Sequence, residues 1–242
     1  MGGKKSINLE LANIVIKVFY KEDEFIELVK GYITNKKEDY IIIITEEMIN
    51  KEKSLCNDLV SNSYLGLLAF VRAFASYASK KNILLMHCVV LLYKNNAYAF
   101  LAPSGVGKTT HAKLWLEYVG KDAKILCGDK AFVKIEDEII VYSSMLNGKE
   151  GYGFNGYAPL KGICVIERNE VNDIIKLNSK EALNYIYKQV YIPDDIDAAT
   201  TLIKKIISLC FEVPSWLLKC NKDISSAKLS FSQLTGVNNE AT

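Results

Sequence analysis

The sequence predicts an α/β fold, a mixed-sheet core built round a glycine-rich loop and preceded by a small N-terminal α+β lobe. Three observations carry that expectation. The stretch AFLAPSGVGKTTHAKLW (99–115) reads as buried strand, small-residue loop and helix in succession. Short apolar runs recur on both sides of it, several joined by brief polar turns of hairpin type. A chain of 242 residues, 50% hydrophobic, can bury a core of the size such a sheet needs.

The elements follow in order. Residues 11–20 (LANIVIKVFY) and 39–45 (DYIIIIT) predict strands, with an acidic helical segment over 22–29 between them; the small lobe is drawn over 1–53. Residues 54–80 predict one long helix, because Leu55, Leu59, Tyr64, Leu67, Leu68, Val71, Phe74 and Ala78 recur at three- and four-residue spacing. That helix opens the main domain, 54–235. ILLMHCVVLLY (83–93) predicts a strand, Lys94-Asn95-Asn96 a turn, and 97–101 the returning strand of an antiparallel hairpin. A helix over 109–118 leaves the glycine loop, and a strand over 124–127 ends at Gly128-Asp129-Lys130. FVKI (132–135) and IIVY (139–142) form a second hairpin around Glu136-Asp137-Glu138. Residues 148–156 are a loop with four glycines, 161–167 a buried strand, and 179–190 (N-capped by Ser179) and 197–211 helices. Residues 236–242 read as a frayed tail.

Charge and composition exclude several classes of partner. With 30 basic and 28 acidic side chains the net charge is +2, so no bulk field draws the chain to nucleic acid or to a membrane surface. The longest apolar segment, Tyr64 to Val71, is stopped by Arg72 and is too short to span a bilayer. The first residues lack the apolar stretch of a signal peptide, and the expected location is the cytoplasm. Six cysteines are scattered without a CxxC pair, which argues against both a disulfide framework and a zinc site. His87 and Cys88 are adjacent; on a strand they point to opposite faces and make poor joint metal ligands.

The loop carries the chemistry. Ser104, Gly105, Val106, Gly107, Lys108, Thr109 and Thr110 place backbone N–H groups at a helix N-terminus, where the partial positive charge favours an anion. Gly105 and Gly107 allow backbone angles and a close approach that a Cβ would block. Lys108 supplies a full charge for β- and γ-phosphates, and the Thr109 hydroxyl suits Mg²⁺. Ala102 stands where the pattern G-x-x-x-x-G-K-[ST] has its first glycine, a slight departure that fits if its φ is negative. Asp129, at a strand end behind a glycine, is a candidate to hold Mg²⁺ or to act as a base; the plain alternative is a turn residue. His87 is either a phosphate-facing donor or an inert core histidine. Lys149 and Glu150 belong either to a mobile loop that closes over phosphate or to a solvated turn.

Three features in one order then mark a resemblance: a His on the strand entering the hairpin, the loop APSGVGKTTHAKLW, and the strand-end Asp of LCGDK. With YAPLKGICVIER further on, the chain resembles the superfamily of HPr kinase and ATP-dependent phosphoenolpyruvate carboxykinase over roughly residues 60–225. It is most similar to the small HPr kinase-like proteins of ribosomal-peptide gene clusters, lasso-peptide kinases among them. The resemblance implies an HPr kinase-like core, ATP and Mg²⁺ as cofactors, Lys108 and Thr109 in the phosphate- and metal-binding places, and His87 as the active-site His. It implies Asp129 as the first acid of an Asp-Asp pair, the base for a serine hydroxyl in HPr kinase. The second acid of that pair, a metal ligand in the carboxykinases, is Lys130 here. An ammonium at that point either takes over part of a cation's charge or pairs with a neighbouring acid. The Arg-Gly signature loop of true HPr kinases is absent, so HPr itself is not the expected substrate.

The expected function is transfer of the ATP γ-phosphoryl group to a hydroxyl, in the first place a Ser of a peptide or small protein. The rivals are a nucleotide-binding module or simple ATPase and, at greater distance, a carboxykinase-type lyase, for which no extra basic residues are assigned to a dicarboxylate. The expected partners are ATP and a peptide or small-protein acceptor, with self-association open.

Overall fold

The computed structural model describes residues 5–56, 59–148 and 150–237. It opens with a hairpin, β1 (Lys5–Leu11) and β2 (Ile14–Tyr20), paired antiparallel. Ala12 and Asn13 both take positive φ, 49° and 63°, the conformation that folds a two-residue connection back on itself. The expected single strand over 11–20 is therefore corrected to two strands and a turn. After α1 (Glu24–Val29), β3 (Tyr40–Ile43) joins β2 in parallel and completes a three-stranded sheet.

A helix not expected from the sequence, α2 (Glu46–Leu55), ends where the helix over 54–80 was expected to begin, and that helix begins later, as α3 (Asn62–Ser79). Thr45 caps the first and Ser61 the second, each hydroxyl accepting a backbone N–H of the first turn. Leu55 and Leu59, counted in the helical spacing, are exposed and belong to no packed face. The real stripe of α3 packs on α1 and the three-stranded sheet in one cluster: Phe70 meets Phe25 of α1 edge-on at 6.2 Å between ring centroids. The same cluster runs on into the larger sheet, where Phe74 meets Phe132 at 4.9 Å.

The larger sheet is mixed. Its path is β4 (Ile83–His87), β8 (Lys130–Ile135), β9 (Ile139–Tyr142), β10 (Tyr157–Arg168), β6 (Asn96–Leu101), β5 (Val89–Tyr93) and β7 (Ala123–Cys127); β12 (Ser215–Cys220) pairs with β10, and β11 (Asp173–Leu177) with β12. The expected strand over 83–93 breaks at Cys88: β4 pairs antiparallel with β8, whereas β5 pairs with β6 and β7. The expected hairpin after it holds, with Lys94 and Asn95 at φ 46° and 65°. β10 begins before the expected strand and links the two halves, antiparallel to β9 at its start and parallel to β6 and β12 along its end.

Helices α5 (Ser179–Ile186) and α6 (Ile196–Glu212) cover one face, and α4 (Lys108–Val119) and α7 (Ile224–Thr235) the other. The N-cap of α5 is Asn178, not Ser179: its side chain accepts from Glu181 N while the Glu181 carboxylate accepts from Asn178 N, both at 2.9 Å. Trp115 of α4 is fully buried among Tyr98, Phe100 and Phe231, and its Nε1–H donates to Ser230 Oγ of α7 at 2.7 Å. Truncating an indole so placed costs about 3–5 kcal/mol, which makes α7 a brace for the helix that carries the loop. Of the tail, Gly236 caps α7 in the left-handed region (φ 69°), and residues 238–242 lie outside the described residues.

Candidate active site

β6 ends at Leu101, and residues 102–107 turn into α4. Gly105 and Gly107 hold φ of 79° and 129°, conformations that L side chains rarely adopt; Ala102, in the place of the first glycine, does not take a positive φ. Arg168 fixes the loop from the neighbouring strand. β10 lies parallel to β6 with Val165 opposite Leu101, so Arg168 projects past the strand end, where it donates through Nε to Val106 O at 2.9 Å and through Nη2 to Gly105 O. Those carbonyls are turned to the guanidinium. The α4 N-terminus next to them has the donors and dipole that receive an anion.

A second part of the site comes from two breaks in the sheet that face each other. The Cys88 N–H, between β4 and β5, donates to Asp129 O at 2.9 Å, and Asp129 lies between β7 and β8. Gly128 is obligatory there, because a Cβ would lie 2.4 Å from Asn147 O and 2.7 Å from Tyr152 O. This juxtaposition delivers His87 and Asp129 to one point from opposite sides of the ladder.

The side chains meet in a chain of contacts. Lys108 Nζ donates to Ala102 O at 2.8 Å and lies 3.0 Å from His87 Nε2. His87 Nε2 is 3.2 Å from Asp129 Oδ1, and the other ring nitrogen, Nδ1, is 3.1 Å from Gln189 Oε1. Lys130 Nζ donates to Asp129 Oδ2 at 2.9 Å. Gln189 holds the ring plane, and Nε2 faces an ammonium and a carboxylate together. With Nδ1–H donating to Gln189, Nε2 accepts from Lys108 in the neutral ring; in the charged ring Nε2–H donates to Asp129.

The electrostatics follow from burial and these partners. Burial works to raise the Asp129 pKa, but the His87 hydrogen bond and the Lys130 charge outweigh it and hold the carboxyl well below the usual carboxylate range. Burial lowers the Lys108 pKa, and the Asp129 charge opposes that. Lys108 is 8% exposed, a buried cation beside a carbonyl and an imidazole.

Of the residues singled out from sequence, Ser104, Lys108, His87 and Asp129 come together. Thr109, half-buried, follows Lys108 on the first turn of α4, and Thr110 is exposed beyond it. Glu150 is held elsewhere: its carboxylate pairs with Lys113 of α4 at 2.6 Å, and Lys113 also lies over Tyr152. Lys149 lies outside the described residues. Sequence reasoning left Gln189 and Arg168 without roles. Arg168 was legible as the end of the VIER run, whereas nothing local marks Gln189, which reaches His87 only because Val190 bridges to Met86.

Cavities flank the loop. One of about 720 Å³ is lined by Gly107, Thr110, Leu114, Ile166 and Arg168. Another of about 520 Å³ is lined by Ser104, His87, Asp129, Lys130, Gln189 and Tyr191. A bidentate ion pair between Arg72 and Glu52, with Tyr191 under the guanidinium, closes the far wall of the second. No helix among the described residues is long and apolar enough to cross a membrane.

No protein-family model matches the sequence, and no relative is found among curated proteins. Among solved structures the chain is similar to the Hpr(Ser) kinase/phosphatase from Coxiella burnetii, at 12% identity over 63% of this chain and 88% of that one, with a TM-score of 0.35. The functional reading therefore rests on the side chains described above.

Proposed function

We propose that the chain is an ATP-dependent phosphotransferase that moves the γ-phosphoryl group to a hydroxyl, that of a serine in a peptide or small protein. The observation that carries this reading is the convergence of Lys108, His87 and Asp129 at the mouth of the glycine loop. Phosphoryl transfer needs positioning, charge neutralisation and one base near the acceptor, and these groups are of that kind. The direction of the nucleotide follows from the loop. Lysines of this motif reach β- and γ-phosphates while the backbone cradles α and β. The γ end then lies toward His87 and Asp129, and the nucleoside toward Thr110 and the larger, partly apolar cavity. The smaller cavity, with Asp129 in its wall, is left for the acceptor.

In the proposed step the acceptor oxygen bonds to the γ-phosphorus, the bond to the β-bridging oxygen breaks, and ADP leaves. The hydroxyl proton passes to the Asp129 carboxylate. His87, held by Gln189, presents Nε2 beside Asp129, and Lys108 neutralises charge on the phosphates. The donor set fits a magnesium ion that arrives with the nucleotide. Thr109 and Asp129 offer one hydroxyl and one carboxylate, no three His, Cys, Asp or Glu side chains gather among the described residues, and Mg²⁺ typically keeps waters and phosphate oxygens. Such an ion supplies charge stabilisation to the phosphates.

The test is incubation of the protein with Mg-ATP and a panel of serine-containing peptides, read by mass spectrometry for a hydroxyl-linked phosphate. Phosphate release at the same rate with or without any peptide would make the protein an ATPase instead.

A further inference from the structure

Lys130 occupies the place where the resemblance puts a second acid, and the fold holds its backbone tightly. It begins β8 opposite His87; its N–H donates to Leu146 O at 3.3 Å, and its carbonyl accepts from Ser144 Oγ and, at 2.7 Å, from Cys127 Sγ. Only the four-carbon stem is left to move. The ammonium rests on Asp129 Oδ2 at 2.9 Å, its side chain 36% exposed, in the wall of the cavity that Ser104 of the loop also lines.

The acids around that cavity are few. Glu52 is committed to Arg72 through two N–H donors, which leaves Asp129 as the available carboxylate among the described lining residues. A site with two metal ions clamps both oxygens of the displacement and needs carboxylates to hold them. Here one carboxylate touches the Lys130 ammonium and the His87 ring, and the Lys108 ammonium lies on the far side of that ring. The positive charge that a second ion would bring is already built into the chain.

We propose that Lys130 is a γ-phosphate-binding residue that takes the place of a second divalent cation. On nucleotide binding its ammonium extends from Asp129 Oδ2 to a γ-phosphate oxygen, and Asp129 is freed to face the accepting hydroxyl. An ammonium has three donors on a flexible stem, so the exchange replaces one charge-assisted contact with another. The inference rests on the phosphotransfer reading, but it differs from that reading in what it requires of Lys130. If Lys130 were only the standing counter-ion of Asp129, it would be indifferent to whether the nucleotide carries two phosphates or three.

Calorimetric titration with ATP and with ADP, each in excess Mg²⁺ and in EDTA, separates these cases. In Lys130→Met the ATP affinity should fall by about five-fold or more, the margin by which a contact to the more highly charged phosphate exceeds the Asp129 contact it replaces, while ADP affinity stays within about two-fold. Lys130→Arg should keep the ATP preference, and Lys130→Asp should bind ATP only when Mg²⁺ is present. Thermal melting of each variant shows that it is folded, and the ADP titration serves as a second check on the intact loop. Equal losses for ATP and ADP in Lys130→Met, or no loss for either, overturn the role of Lys130 and leave the phosphotransfer reading standing. A parent protein that binds neither nucleotide overturns both.

Discussion

Replacing Asp129 with Asn changes one atom's chemistry and little of its shape, and so isolates what the charge does. In the resting protein the carboxylate receives Lys130 at 2.9 Å and His87 at 3.2 Å, with 28% of the side chain exposed. The amide keeps an acceptor for one of these partners and loses the charge for both. For a group this far from full burial the expected stability loss at neutral pH is about 1–2 kcal/mol, a melting shift of roughly 2–8 °C in a chain of this size. The pH dependence has a definite sign. The folded-state pKa of Asp129 is depressed, so its contribution is present above the unfolded carboxylate value of about 4 and is lost as pH falls toward the folded value. The gap in stability between parent and variant should narrow as the solution is acidified below about pH 4. ATP binding should change only a few-fold, since Lys108 and the loop backbone are untouched. Transfer to a peptide hydroxyl should fall by about 10² to 10⁴, the usual contribution of a general base. Melting temperature, ATP affinity and phosphopeptide yield measured on the same preparation decide the matter. A variant that transfers at more than a tenth of the parent rate removes Asp129 from the mechanism and leaves it a structural turn residue.

Four further outcomes are expected. Lys108→Ala should weaken Mg-ATP binding by roughly ten- to a hundred-fold, from one lost charge-assisted contact; equal calorimetric affinity in the two proteins would refute the loop assignment. His87→Gln should lower turnover while the melting temperature holds within a few degrees, and unchanged turnover would make His87 an inert strand residue. Arg168→Met should release the carbonyls of Gly105 and Val106, seen as faster amide exchange over residues 104–107 and weaker nucleotide binding; unaltered exchange would show that the loop holds itself. Gly128→Ala forces a Cβ to within 2.4 Å of Asn147 O. It should therefore destabilise the chain by several kcal/mol or displace Asp129, and a variant with parental melting and activity would contradict the close approach.

The run 97–119 was legible because everything that shapes it is local. Apolar residues end a strand, two glycines supply the positive φ that the loop needs, and the spacing after Thr109 is helical. The hairpin turn at Lys94-Asn95 was legible for the same reason, whereas the one at Ala12-Asn13 was missed, because Ala is not a turn residue by habit. The α2–α3 boundary was not, because Leu55 and Leu59 continue the helical spacing into residues that face solvent. Periodicity records where apolar side chains fall and not what covers them.

The sequence by itself determined the loop, its lysine and the types of residue available for chemistry. Only the tertiary structure decided which of them meet. The break at Cys88 turns β4 toward β8 while β5 stays with β6, and the same break lays the Cys88 amide on Asp129 and brings His87 beside it. Gln189 reaches that histidine from more than a hundred residues away, and Arg168 reaches the loop only because β10 runs parallel to β6. Strand pairing of this kind is fixed by the joint packing of both sheet faces and by backbone hydrogen bonds between distant segments. No window of the chain contains both partners of such a pair, so no local pattern can carry it.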